Sequence, residues 1–243
     1  SESTVVRFAI ELGFSGYPKL QKSLQELIKN KLTTVQRLEL SSDYITEGHA
    51  LKGVLKADME NIRSTMEKID YNTFEDVVNN IFAAKRIYII GLRSSMALAE
   101  FLGFYLNIIL QNVKTVGYGI SDIFEQMINV GEGDLVIGIG FPRYASRTID
   151  ALAFAQDRGA TVVAVTDSFL SPLAARADYS LIAQSNMASF VDSLVAPLSV
   201  INALIIAVGM REKENISSTF NSLEEIWREY NVYSYNNRNV GDD

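Results

Sequence analysis

The stretch Arg86-Ile-Tyr-Ile-Ile-Gly-Leu-Arg-Ser-Ser-Met-Ala-Leu-Ala-Glu-Phe-Leu102 decides the fold. An apolar run, Ile87–Ile90, reaches Gly91, and two serines then open a long apolar helix. That order reads as strand, turn and helix. Backbone N–H groups at a helix start, with hydroxyls beside them, suit an anion such as a sugar phosphate. A similar unit follows at Leu135–Phe154, but its loop, from Gly140 to Arg147, reads Gly-Phe-Pro-Arg-Tyr-Ala-Ser-Arg. One loop carries serines and the other carries arginine.

Outward from these two units, strands alternate with helices. The patterning predicts strands over 86–91, 113–117, 134–140, 161–166 and 179–184. It predicts helices over 94–110, 121–129, 146–158, 171–176 and 190–211, with a last one over 216–230. Such alternation defines an α/β fold with a parallel sheet covered by helices on both faces. Ligands in these sheets sit at the carboxyl ends of the strands. Gly138-Ile-Gly140 is no dinucleotide fingerprint, because Arg143 stands where the third glycine belongs.

The front of the chain is all helical in pattern. Ser1–Leu12 spaces Val5, Phe8, Ala9 and Leu12 as a helix, and Gly13 ends it. Phe14–Pro18 is a turn, after which Leu20, Leu24, Leu27 and Ile28 line one face of a second helix. Two short helices joined by a glycine turn bury no core alone, which favours further helices upstream of Ser1. Residues 41–70 show weaker helical spacing (Tyr44, Leu51, Leu55, Met59, Ile62, Met66, Ile69), a linker helix running toward a shorter one at 74–83. The expected division is 1–40 as an incomplete helical unit, 41–84 as a helical linker, 85–230 as the α/β domain and 231–243 as a polar tail.

Of the 243 residues, 48% are hydrophobic and 21% charged, enough to bury a real core. There is no cysteine, which removes disulfide and thiolate chemistry and fits a cytoplasmic protein. His49 is the only histidine, so a metal would have to rest on carboxylates, and neither metal nor cofactor is expected. Leu194–Gly209, the most apolar stretch, is interrupted by Pro197, Ser199 and Asn202 and falls short of the roughly 20 residues of a membrane span. The net charge of −7 argues against a protein that coats nucleic acid. Residues 1–40 nevertheless hold six basic and four acidic side chains, a local +2 that leaves −9 for the rest. A weakly basic end on an acidic body fits a localised DNA contact.

The order of these pieces resembles the RpiR/MurR-type bacterial transcriptional regulators. Those proteins join a helix-turn-helix domain to a sugar isomerase (SIS) domain that senses phosphosugars. Ser1–Pro18 is similar to their recognition helix and the turn after it, and Phe190–Leu204 to their last core helix. The resemblance implies that 1–40 is part of a helix-turn-helix DNA-binding domain. Ser95 matches the serine of the first SIS loop. The chain departs from the pattern at the Ser-x-Ser-Gly-x-Thr loop after the third strand. Gly140, Phe141, Pro142, Arg143, Tyr144 and Ala145 stand there, without its hydroxyls.

Each candidate residue has a sharp and a bland reading. Ser94 and Ser95 bind a phosphate or sugar hydroxyl, or one of them caps the helix. Arg143 replaces lost hydroxyls with a guanidinium fork, with Ser146 adding a hydroxyl, or Arg143 and Arg147 are surface residues or pair with carboxylates of a partner subunit. Thr166 and Ser168, in the loop Thr166–Leu173, close over the ligand, or the loop is a polar turn with Ser171 as a cap before Pro172. The resemblance lifts Ser1, Ser3, Thr4 and Arg7 to base or phosphate contacts on a recognition helix, with Lys19 and Lys22 on the DNA backbone. His49 reads as an exposed linker residue. Phe101, Phe104 and Tyr105 read as core.

The resemblance therefore implies a transcriptional regulator that is not an enzyme, binding operator DNA and a phosphosugar or similar anion, and working as a homodimer or larger homo-oligomer. The helices over 94–110 and 190–211 are candidate interface elements. One alternative is a phosphosugar isomerase on the same fold, for which only Glu100, Glu125 and Asp192 offer a base. Another is a dimerisation scaffold without ligand response.

Overall fold

The computed structural model describes residues 2–21, 32–41, 50–187 and 189–234. Helix α1 (Glu2–Glu11) ends at Gly13, whose positive φ makes the turn, and helical backbone resumes at 17–21. Helices α2 (Thr34–Ser41), α3 (Ala50–Lys68) and α4 (Tyr71–Ala83) lead into the α/β body. There β1 (Ile87–Ile90), α5 (Met96–Leu110), β2 (Val113–Val116), α6 (Ile123–Gln126), β3 (Leu135–Ile139), α7 (Ser146–Asp157), β4 (Thr161–Thr166) and β5 (Tyr179–Ile182) follow in order. Helices α8 (Val195–Arg211) and α9 (Lys213–Glu229) close the chain.

All five strands are parallel, in the order β2-β1-β3-β4-β5. Ile87 stands opposite Leu135 and Ile90 opposite Gly138, so β1 and β3 end level at their carboxyl ends. Alternation along β1 sends Ile87 and Ile89 to one face and Tyr88 and Ile90 to the other. The first face buries Ile89, Ile137 and Val165 under Val77 and Ile81 of α4, Leu102 and Leu106 of α5 and Leu204 of α8. The second buries Ile90, Val136 and Ala164 under Met127 and under Leu152 and Ala155 of α7. A Cβ on Gly138 would come within 2.6 Å of the Leu152 side chain, so this glycine serves close helix packing rather than a cofactor. At the amino ends, Arg86 grips the buried Asp134 through Nε (3.1 Å) and Nη2 (2.8 Å), clamping β1 to β3.

The expected strands are found, each within two residues of its expected ends. β5 stops at Ile182: Ala183 N still donates to Thr166 O of β4 (2.8 Å), but the backbone groups after it bond to α3 instead. Gln184 N donates to Thr65 Oγ1 (2.8 Å), and Asn186 exchanges two bonds with the buried Asn61 side chain. The linker helix does not run on into the next one. Asp70 breaks it by accepting from the backbone N–H groups of Asn72 and Thr73 and starting α4 afresh. Because α4 contributes Val77, Val78 and Ile81 to the core, the packed body begins before residue 85. The helix expected over 121–129 is a single turn, capped by a reciprocal Asp122–Glu125 box. The one expected over 171–176 is a 3-10 turn, Ala174–Arg176, whose Ala174 N–H donates to Ser171 Oγ. Residues 190–194 lie outside α8. Ser193 there bonds to Asp58 of α3 (2.6 Å), and Asp192 pairs with Arg37. Phe104 and Tyr105 are not core as expected: Phe104 is 60% exposed and Tyr105 39%, on the outward side of α5. His49 lies outside the described residues.

Candidate functional site

At the carboxyl ends of β1 and β3 the sheet opens into a cavity of about 570 Å³. That size is within the usual range for a small-molecule site. Its walls are the loop after β1 (Leu92, Arg93, Ser94, Ser95), the loop after β3 with the start of α7 (Gly140–Ser146, Thr148), Phe190 and Asp192, and Arg37 of α2.

The first loop is tighter than expected. Arg93–Ser95 form a 3-10 turn before α5, and Ser95, at the N-cap position, makes no side-chain cap. Neither reading of Ser94 and Ser95 as helix caps for α5 therefore describes them. Ser95 is buried and both serines line the cavity. The turn depends on Gly91. A Cβ there would lie 2.7 Å from the Ser95 carbonyl oxygen and 3.2 Å from that of Ile139, both backbone atoms.

The second loop brings Arg143 and Ser146 to the same cavity. Ala145 occupies the N-cap of α7 and offers no capping side chain, so the helix start faces the cavity without one. Arg143 Nη1 donates to Thr34 Oγ1 at 2.6 Å. Arg93 and Arg143 both hold positive φ, 59° and 64°, a conformation uncommon outside glycine and asparagine. Each arginine follows one of the two central strands, so the two strained residues sit at matching places in the repeated unit.

Tyr144 donates to Asp167 Oδ1 at 2.7 Å. Burial pushes the Asp167 carboxyl above its usual range, against the pull of that bond, and also pushes the Tyr144 hydroxyl up. Asp192 is raised as well. Burial is the largest cause, opposed by Arg37 and Arg143, which favour the carboxylate.

Sequence reasoning missed three residues. Thr148 is 1% exposed, lines the cavity, and its hydroxyl has no hydrogen-bond partner among the described residues. Arg37 is 3% exposed and donates from Nη1 to Asp192 Oδ1 at 2.9 Å, but its Nε and Nη2 are unpartnered among the described residues. Such buried donors each cost about 1–3 kcal/mol. Asp192 had been considered only as a base. The position of Thr148 on the first turn of a helix after a phosphate-type loop was a usable signal; nothing in the sequence pointed to Arg37.

Thr166 and Ser168 are not brought to this cavity. Thr166 is fully buried and bonds to Asp167, and Ser168 Oγ accepts from Leu170 N. Arg147 pairs with Asp122 across a separate groove after β2, which Glu125 also lines. Glu100 is exposed on α5. On α1, Ser3, Thr4 and Arg7 lie on an exposed surface, and Lys19 is also exposed; Ser1 and Lys22 lie outside the described residues.

Residues 80–207 match the family model of the SIS domain. An uncharacterised HTH-type transcriptional regulator of Haemophilus influenzae is 29% identical over 226 residues, covering 89% of this chain and 77% of the relative. Among solved structures, the sugar isomerase domain of the RpiR transcription factor from Sphaerobacter thermophilus is 30% identical at a TM-score of 0.70, covering 73% of this chain and 99% of that one. The Vibrio vulnificus NanR protein, solved in complex with ManNAc-6P, shares the fold at 20% identity and a TM-score of 0.64, over 95% of this chain and 82% of that one. The fold and its loops thus define an SIS-domain protein. The chain belongs to the RpiR-type transcriptional regulators.

Proposed function

We propose that the cavity binds a phosphorylated sugar or related anionic metabolite and that its binding changes how the regulator holds operator DNA. The observation that carries this is convergence. Ser94, Ser95, Arg143 and Ser146, from two loops far apart in sequence, share one cavity at the carboxyl ends of the central strands, with the uncapped start of α7 facing it. The unpartnered Thr148 hydroxyl supports the same reading. Thr166 and Ser168, proposed from sequence as a closing loop, reach such a ligand only through a movement of that loop.

The role is binding rather than turnover. Among the described residues, Asp192 is the only carboxylate lining the cavity, and it is paired with Arg37. A proton shuttle needs a free base beside the sugar. DNA contact is assigned to Ser1, Ser3, Thr4, Arg7, Lys19 and Lys22 at the front of the chain, and the protein would act in the cytoplasm. A homodimer fits the outward apolar faces of α5 and α8, where Phe104, Ile206 and Met210 are exposed. No single described helix is long and apolar enough to cross a membrane.

Thermal-shift titration with hexose 6-phosphates and N-acetylhexosamine 6-phosphates tests the reading, with ManNAc-6P, the ligand of the Vibrio vulnificus relative, as first probe. A binder at 100 times its Kd gains about 2.7 kcal/mol by linkage. Arg143→Ala should abolish that gain. Turnover of any of these sugars would instead establish an enzyme, and a flat response to all of them would leave a scaffold.

A further inference from the structure

Arg37 stands in the wrong place for an ordinary surface arginine. It belongs to α2, ahead of the α/β body, yet its side chain is buried in the wall of the cavity formed by the loops after β1 and β3. One nitrogen, Nη1, is held by Asp192. The other two, Nε and Nη2, are sealed from solvent and have no partner among the described residues, so a small turn of the side chain is needed to present them to a ligand in the cavity. These two nitrogens form one edge of the guanidinium, where two N–H groups point the same way. That edge matches two oxygens of a phosphate or carboxylate.

We propose that Arg37 is an effector contact supplied from outside the sheet, its Nε–Nη2 edge donating two hydrogen bonds to an anionic group of the bound metabolite. Asp192 holds the guanidinium in register by its opposite side. This rests on the reading of the cavity as an anion site and adds a regulatory link to it. An effector gripped by Ser95 and Arg143 on one side and Arg37 on the other ties α2 to the SIS domain. α2 lies between the DNA-reading segment and the sensor, so occupancy of the cavity is felt directly by the N-terminal helices, without passage through the sheet.

Three substitutions in the full chain test it, with ManNAc-6P, glucose 6-phosphate and inorganic phosphate as probes in calorimetric titration. Arg37→Gln removes the fork and should weaken binding roughly 10- to 100-fold, the worth of lost hydrogen bonds to a charged group. Arg37→Lys keeps the charge without the fork, and it too should bind at least about tenfold more weakly. Asp192→Asn keeps an acceptor for Nη1, and so the register of the fork, while it removes a negative charge from the cavity; it should bind at least as tightly as the wild type. Probe binding should slow hydrogen exchange of α2 amides in the wild type and not in Arg37→Gln. If Arg37→Gln and Asp192→Asn weaken binding alike, Arg37 is only half of a structural ion pair and the proposal falls. It falls equally if Arg37→Gln and Arg37→Lys bind like the wild type while Arg143→Ala does not, an outcome that leaves the anion site standing. If the wild type binds none of the probes, the site reading and the proposal fall together.

Discussion

Arg143 and Thr34 are 109 positions apart in the chain and are joined by a 2.6 Å hydrogen bond from the guanidinium to the hydroxyl. The loop after β3 therefore uses its arginine in two directions, toward the cavity and toward α2. An exposed bond of this kind is worth about 0.5–1.5 kcal/mol. Thr34→Val should lower the unfolding free energy by no more than that. In a double-mutant cycle with Arg143→Gln, urea denaturation should show coupling of about the same size. Strictly additive effects would show that the two residues do not hold one another.

Arg93 and Arg143 hold backbone angles that cost an L-residue roughly 1–2 kcal/mol. Relief of that strain should make Arg93→Gly equal to or more stable than the wild type, by up to about 1 kcal/mol in thermal or chemical denaturation. The same variant should bind the phosphosugar probes less well. A gain in stability with a loss of binding is the signature of strain kept for a site. Loss of both would assign Arg93 a structural role.

Gly91 has the opposite constraint. A methyl group there meets two backbone carbonyls that have no rotamer to change. Gly91→Ala should cost about 1–3 kcal/mol, the usual range for an overpacked site. It should also weaken probe binding, because relief of the clash moves Ser95. Wild-type stability in this variant would show that the loop after β1 is not as tightly turned as described.

The half-buried Asp167 makes stability depend on pH. Its folded-state pKa lies above the ordinary value of 3.8, with burial as the main cause. The folded protein therefore holds this proton more tightly than the unfolded chain does. The resulting stability is complete below the unfolded value and is lost as pH rises through the folded one. Asp167→Asn keeps an acceptor for the Tyr144 hydroxyl and cannot ionise. It should melt above the wild type at about pH 7, with the gap closing toward about pH 4. An equal gap at both pH values would show that ionisation of Asp167 is not the cause.

The sheet was readable because its signal is local. The runs Ile87–Ile90, Leu135–Ile139 and Thr161–Thr166 are short, apolar and bounded by turn residues, so each strand stands where its pattern puts it. The cavity was half readable. Ser95 and Arg143 follow strands, and strand ends in a parallel sheet are where ligands sit. Arg37 and Asp192 were not readable in that role, because their meeting depends on how α2 and the stretch before α8 pack, across 155 positions of sequence. Nor did the pattern show that residues 190–194 leave the helix. Their side chains bond to α2 and α3, and that tertiary demand outweighs a helical-looking run.

The strand order carries a consequence of its own. β1 and β3 are neighbours, but the chain leaves β1 toward β2 on one side and leaves β3 toward β4 on the other. The two connections part company above the sheet, and a crevice remains between them whatever residues they carry. The existence of a binding place is thus a property of connectivity, and only its chemical preference is written in side chains. Serines can be exchanged for an arginine there without endangering the fold. A lineage of such regulators can change the metabolite it answers to while its architecture stays still.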